Sequence, residues 1–155
     1  MFINSFNIQE ENKTKVIAEE ISKICEKGDV LAVSGNMGIG KTTFIRYFIQ
    51  KISKAKSVPS PSYNIILPYK AKASNIFHMD AWRLKNHNEA LSLGIIEMFD
   101  DAIFLIEWAE KIKVILPNNS LNLIIKDINN KKFLEIEGNE VWRKRLNNIK
   151  NHEEH

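Results

Sequence analysis

A chain of 155 residues has room for one domain whose core needs no disulfide or structural metal. Its 44% hydrophobic and 26% charged residues exclude a disordered chain, and its one cysteine, Cys25, excludes an internal disulfide or a cysteine-rich metal centre. A net charge of +3, from 18 Lys and 4 Arg against 19 acids, is not the concentrated base of a nucleic-acid-binding face.

Phe2–Phe6 reads as a short edge strand. From Gln9 to Glu26 the apolar residues Val16, Ile17, Ile21 and Ile24 recur at helical spacing, with Gly28 placed to end the helix and Cys25 packing in or near it. Val30–Val33 is a continuous apolar run, as in a strand buried on both faces. A glycine-rich turn follows, and then Lys41–Ile52 carries Phe44, Ile45, Phe48, Ile49 and Ile52 on one helical side. Pro59 and Pro61 bracket a loop, and strands are expected at Tyr63–Leu67 and Asn75–Met79. One helix is expected over Asn88–Met98 and a buried strand at Ala102–Ile106. Leu121–Ile125 and Phe133–Ile136 flank Asn129–Asn130, a hairpin turn, and Glu140–Lys150 closes as a short helix before a ragged polar tail. No apolar run reaches the roughly 18 residues of a membrane span, and Met1–Asn4 lacks the layout of a secretory signal. The expected location is the cytoplasm, away from any membrane.

The chemistry concentrates in Gly35–Thr43, which satisfies G-x-x-x-x-G-K-[ST] in full. Three of the chain's 6 glycines fall in this one loop, between an apolar strand and a helix. Gly35, Gly38, Ile39 and Gly40 would let the backbone wrap a phosphate chain and present successive N–H groups at the positive end of the helix. Lys41 adds a mobile charge for the β- and γ-phosphates, the Thr42 hydroxyl can ligate Mg²⁺, and Thr43 can donate to the α-phosphate. Such a loop needs an acid at a neighbouring strand end for the metal and a group to orient water. Asp80 follows Ile76–Met79 and Glu107 follows Ala102–Ile106, so both acids are candidates for those two roles. His78 has no second His or Cys at ligand spacing and reads as a satisfied buried imidazole.

The loop Gly35–Thr43, Pro59–Tyr63, His78–Leu84 and Ile106–Trp108 occur in the order and at the spacing of the TsaE (YjeE) family, which the chain resembles from Gly35 to Trp108. Departures include Asn36–Met37 for the family's usual Asp–Leu, Ile39 for Ala, Ser62 for Thr, Ala81–Trp82 for Leu–Tyr and Ala109 for Pro; none of them removes a phosphate-wrapping glycine. The resemblance implies an ATPase subunit of tRNA threonylcarbamoyladenosine synthesis, with ATP and Mg²⁺ as cofactors and the TsaD and TsaB subunits as partners. It implies contact with tRNA only through that complex. It makes Thr42 and Glu107 the Mg²⁺ ligands, with Lys41 and Asp80 acting beside them in hydrolysis. Trp108 would lie beside the nucleotide, and Glu11 and Lys132 would contact it away from the phosphates. The Ser60–Tyr63 loop would respond to the γ-phosphate, while Arg83 is read as structural or partner-facing.

The expected fold is a three-layer α/β sandwich of the P-loop type, one domain over residues 1–155. It has a mostly parallel central sheet, Val30–Val33 inside it and an antiparallel C-terminal hairpin. Two other classes compete with the partner-driving ATPase. A kinase would use several arginines in a lid and a GTPase an Asn-Lys-x-Asp signature; the chain has 4 Arg, and Phe133 stands where that Asp would fall after Asn130–Lys131. The third reading is a scaffold that binds nucleotide without turning it over.

Overall fold

The computed structural model describes residues 2–153; the last two residues of the expected polar tail lie outside them. The elements are β1 (Phe2–Asn7), α1 (Glu11–Ile24), β2 (Val30–Ser34), α2 (Lys41–Ile52), β3 (Ile66–Lys70), β4 (Asn75–Asp80), α3 (His87–Ser92), α4 (Ile95–Phe99), β5 (Ala102–Glu107), β6 (Leu121–Ile128), β7 (Lys131–Gly138) and α5 (Glu140–Glu153). Two 3₁₀ segments, Ser62–Asn64 and Ala109–Ile115, complete them.

All seven strands form one sheet in the order β1-β7-β6-β2-β5-β4-β3. Its centre is parallel, β6 and β5 flanking β2 and β4 beside β5; the outer pairs β1–β7, β7–β6 and β4–β3 are antiparallel. The expected architecture is observed: β2 lies fourth of seven, and the C-terminal hairpin extends the sheet. Asn129 and Asn130, at φ 52° and 64°, make the two-residue turn that suits strand twist.

Alternation along the strands divides the core. Leu31, Val33, Ile103 and Leu105 face α1, α2 and the Trp142 and Leu146 side chains of α5, whereas Val30, Ala32, Phe104 and Ile106 face α3, α4 and the Ala109–Ile115 turn. This is why β2 and β5 are apolar at every core position. Trp142, 1% exposed, also donates its indole N–H to Asn119 O at 2.6 Å and ties α5 to the approach to β6.

Three expectations are corrected. The strand placed at Tyr63–Leu67 begins at Ile66, because Pro61 in the helical region starts a 3₁₀ turn and Ile65 reverses the chain at φ 63°. Pro68 is then tolerated because β3 is an edge strand. The single helix Asn88–Met98 is two helices, since Gly94 at φ 75° stops the first and starts the second. The helix expected over Gln9–Glu26 is shorter, and Gly28 turns the chain into β2 instead of capping it.

Candidate functional site

The C-terminal ends of β2, β5 and β4 stand side by side, and the register puts Glu107 opposite both Val33 and Asp80. From β2 the chain enters the turn through Gly35, Gly38 and Gly40, at φ 147°, 74° and 121°. Gly35 packs against its surroundings: a Cβ there would stand 2.8 Å from both Ile125 O and Ile39 Cγ2. Gly35→Ala is therefore expected to destabilise the fold by about 2–3 kcal/mol, read as a lower urea midpoint. Gly38→Ala meets open space and carries only the strain of positive φ.

Helix α2 starts at Lys41 with Gly40 as its cap, and no side chain caps it. Its first N–H groups are free to bind an anion, where the helix dipole also favours one. They border a cavity of about 310 Å³ that Gly38, Gly40, Lys41, Thr42 and Thr43 line from below, and Asp80, Trp82, Glu107 and Trp108 from the sides. The Lys41 ammonium lies inside the turn, 2.6 Å from Gly35 O, 2.9 Å from Asn36 O and 4.0 Å above the Trp108 ring. Burial lowers its pKa, opposed by Glu107, Glu110 and Asp80. Trp108, in the left-handed region at φ 58°, packs against Trp82 with centroids 4.4 Å apart and ring planes inclined by 43°.

Glu107 is buried at 4% exposure. Its Oε1 accepts the Thr42 hydroxyl at 2.7 Å, and its Oε2 lies 2.7 Å from His78 Nε2. Among the described residues no cluster of three His, Cys, Asp or Glu could hold a metal. Thr42 and Glu107 nevertheless offer a hydroxyl and a carboxylate oxygen side by side. That donor set fits Mg²⁺, which keeps most of its shell for water and phosphate. Asp80 accepts the Trp82 N–H at 2.9 Å, and its own N–H donates to Ile65 O at 2.8 Å. Burial raises the Asp80 pKa, and the neighbouring Glu107 adds to that rise.

A second cavity, about 190 Å³, adjoins the first through Gly40 and Thr43. Glu11, Ile39 and Lys132 line it, although they lie far apart in the chain. Two contacts bring the ends together: Ile8 N–H donates to Lys132 O at 2.9 Å, and Lys132 N–H to Gln9 Oε1 at 3.0 Å. Tyr47 donates to Glu11 at 2.6 Å.

Every expected site residue thus borders one of two joined cavities except Gly35, which supports the turn from beneath. The Ile39 side chain points into the core, so this residue contributes to the turn through its backbone. Arg83 stands 4.0 Å over the Tyr63 ring, a structural contact that ties the Pro59–Tyr63 loop to the end of β4. His78 departs from expectation: it is buried, yet its Nδ1 has no partner among the described residues. Gln9 and Thr14 line the second cavity unforeseen, because nothing in their spacing marks them. The Trp82–Trp108 contact was equally invisible, since it depends on β4 lying beside β5.

Fold and site define a mixed α/β protein with a glycine-rich strand-to-helix turn at the C-terminal edge of a parallel sheet centre. The family model for threonylcarbamoyl adenosine biosynthesis protein TsaE matches residues 8–134. The chain belongs to the TsaE family, that of tRNA threonylcarbamoyladenosine biosynthesis. It is 36% identical over 115 residues to the tRNA threonylcarbamoyladenosine biosynthesis protein TsaE of Bacillus subtilis, covering 74% of this chain and 72% of that one. It is 35% identical over 132 residues to the protein of the same name from Rickettsia typhi, covering 83% and 91%. The crystal structure of Bacillus subtilis YdiB shares the fold, with a TM-score of 0.82 and 24% identity over 98% of this chain and 97% of that one. Among the described residues no helix is long and apolar enough to cross a membrane.

Proposed function

We propose that this chain is one P-loop domain that binds ATP with Mg²⁺ in the two joined cavities and hydrolyses it. In this reading it works in the cytoplasm and drives or resets the TsaB–TsaD complex that makes threonylcarbamoyladenosine in tRNA, meeting tRNA only through that complex. One observation carries the ATP reading: a helix N-terminus, a buried lysine and two strand-end carboxylates converge on one cavity, which opens at Gly40 and Thr43 into a second.

The free N–H groups of the turn and Lys41 hold the β- and γ-phosphates, and Thr43 reaches the α-phosphate. Glu11 and Lys132 face the nucleoside. A Mg²⁺ held by Thr42 and Glu107 would neutralise charge on the phosphate oxygens. Asp80 orients a water whose oxygen bonds to the γ-phosphorus as the bond to the ADP oxygen breaks. Among the described residues no arginine lines either cavity; of the chain's arginines, Arg145 pairs with Asp29 and Glu26, Arg143 with Glu140, and Arg83 covers Tyr63. Turnover by the chain alone is therefore slow, and a cation supplied by a partner would raise it by roughly 10³-fold or more.

The test is ATP hydrolysis by the purified chain, alone and with TsaB and TsaD, paired with capture by those subunits in ATP, ADP or no nucleotide. Slow turnover that the pair accelerates, with capture strongest in ATP, is the expected result. Nucleotide-dependent capture without turnover would favour the scaffold reading, and equal capture in all three states would mean that nucleotide does not control docking on the pair.

A further inference from the structure

His78 plays no part in the machinery above, yet it touches it. It lies two residues before Asp80 on β4, so both side chains turn to the sheet face that carries α2. The register pairs Asp80 with Glu107, which makes His78 a diagonal neighbour of Glu107 across β4 and β5. His78 is 0% exposed. Its Nε2 reaches Glu107 Oε2 at 2.7 Å while Thr42 from α2 holds Oε1 at the same distance. A carboxylate accepts and does not donate, so Nε2 carries the hydrogen of that contact.

The other ring nitrogen is unpaired: Nδ1 is buried without a partner among the described residues. A buried polar atom left in that state is unfavourable, and an apolar ring of similar volume would avoid it. What the imidazole supplies in return is a fixed donor for Glu107.

We infer that His78 is the positioning residue of Glu107. Its Nε2–H anchors Oε2 to β4, so that the plane of the carboxylate is set and Oε1 is presented to Thr42 and the cavity. The inference rests on the reading of Thr42 and Glu107 as the Mg²⁺ pair. If a cation takes the place of the Thr42 hydroxyl hydrogen at Oε1, the contact with His78 is the one that stays and keeps Glu107 in place.

Two variants test it. His78→Phe fills the ring volume without a donor, whereas His78→Gln returns an N–H at nearly the reach of Nε2. Crystals of the variants without nucleotide should show Glu107 turned away from Thr42 in His78→Phe and held in His78→Gln. Calorimetric titration with a non-hydrolysable ATP analogue gives the second readout. In EDTA all three chains should bind alike. Added Mg²⁺ should strengthen binding by the unmodified chain and His78→Gln, with the gain reduced by about 10- to 100-fold in His78→Phe, as for other residues that orient a metal ligand. An unmoved Glu107 in His78→Phe, an undiminished Mg²⁺ gain, or a His78→Gln that behaves like His78→Phe would each overturn the inference. If His78→Phe does not fold, His78→Asn, whose amide ends short of Glu107, replaces it. If the unmodified chain gains nothing from Mg²⁺, the Mg²⁺–ATP reading falls, and the crystals alone support or overturn the positioning role.

Discussion

Lys41→Ala is expected to weaken ATP binding by roughly 10- to 100-fold, because hydrogen bonds to a charged group are worth about 1.5–3 kcal/mol and each 1.4 kcal/mol is tenfold. The ammonium stands at the centre of the turn, bonded to Gly35 O and Asn36 O and covered by Trp108. An arriving phosphate replaces two neutral carbonyl partners with charged oxygens, which strengthens each bond. The lowered pKa of the bare lysine works the same way, since burial disfavours a charge that the phosphates then stabilise. Titration calorimetry of the variant and the unmodified chain decides it. Equal affinity would mean that the phosphates lie elsewhere.

Asp80→Ala is expected to spare ATP binding and to slow hydrolysis by roughly 10²- to 10⁴-fold, the range for a group that acts on the proton of the attacking molecule. Binding should survive because in the proposed role the carboxylate bonds to the attacking water and not to the ground-state phosphates. The role also has a pH signature. Burial raises the Asp80 pKa above its ordinary 3.8, and the ionised form is the stronger acceptor for water. Hydrolysis should fall on acidification through that raised value, and this acid limb should disappear in the variant. Stability moves the other way. A raised folded-state pKa favours the fold at low pH, and this is lost as pH rises through it, so Asp80→Asn should raise Tm at neutral pH. Loss of affinity in Asp80→Ala equal to that in Lys41→Ala would remove Asp80 from the hydrolytic role.

Sites often sit where local rules are broken, and two breaks flank this one. Ile65 and Trp108 are non-glycine residues at φ 63° and 58°, a strained conformation that persists when surroundings enforce it. Ile65 O receives the Asp80 N–H, and Trp108 follows Glu107 directly. Neither residue type announces a left-handed backbone, so the strand expected through Tyr63–Leu67 missed its true start.

Local signals by themselves determined much of this protein. Apolar runs marked β2 and β5 as buried on both faces, helical spacing marked α1 and α2, and Gly35–Thr43 marked the glycine-rich turn between β2 and α2, because each depends on residues a few positions apart. Tertiary structure decided the rest. Which acid meets Thr42 follows from β5, not β4, lying beside β2. Glu11 and Lys132 share a cavity because β1 pairs with β7 and brings the ends of the chain together. The link from His78 to Glu107 requires the parallel register of β4 on β5. Strand order and register are set by how the whole apolar surface is buried, and no short window of sequence contains that balance.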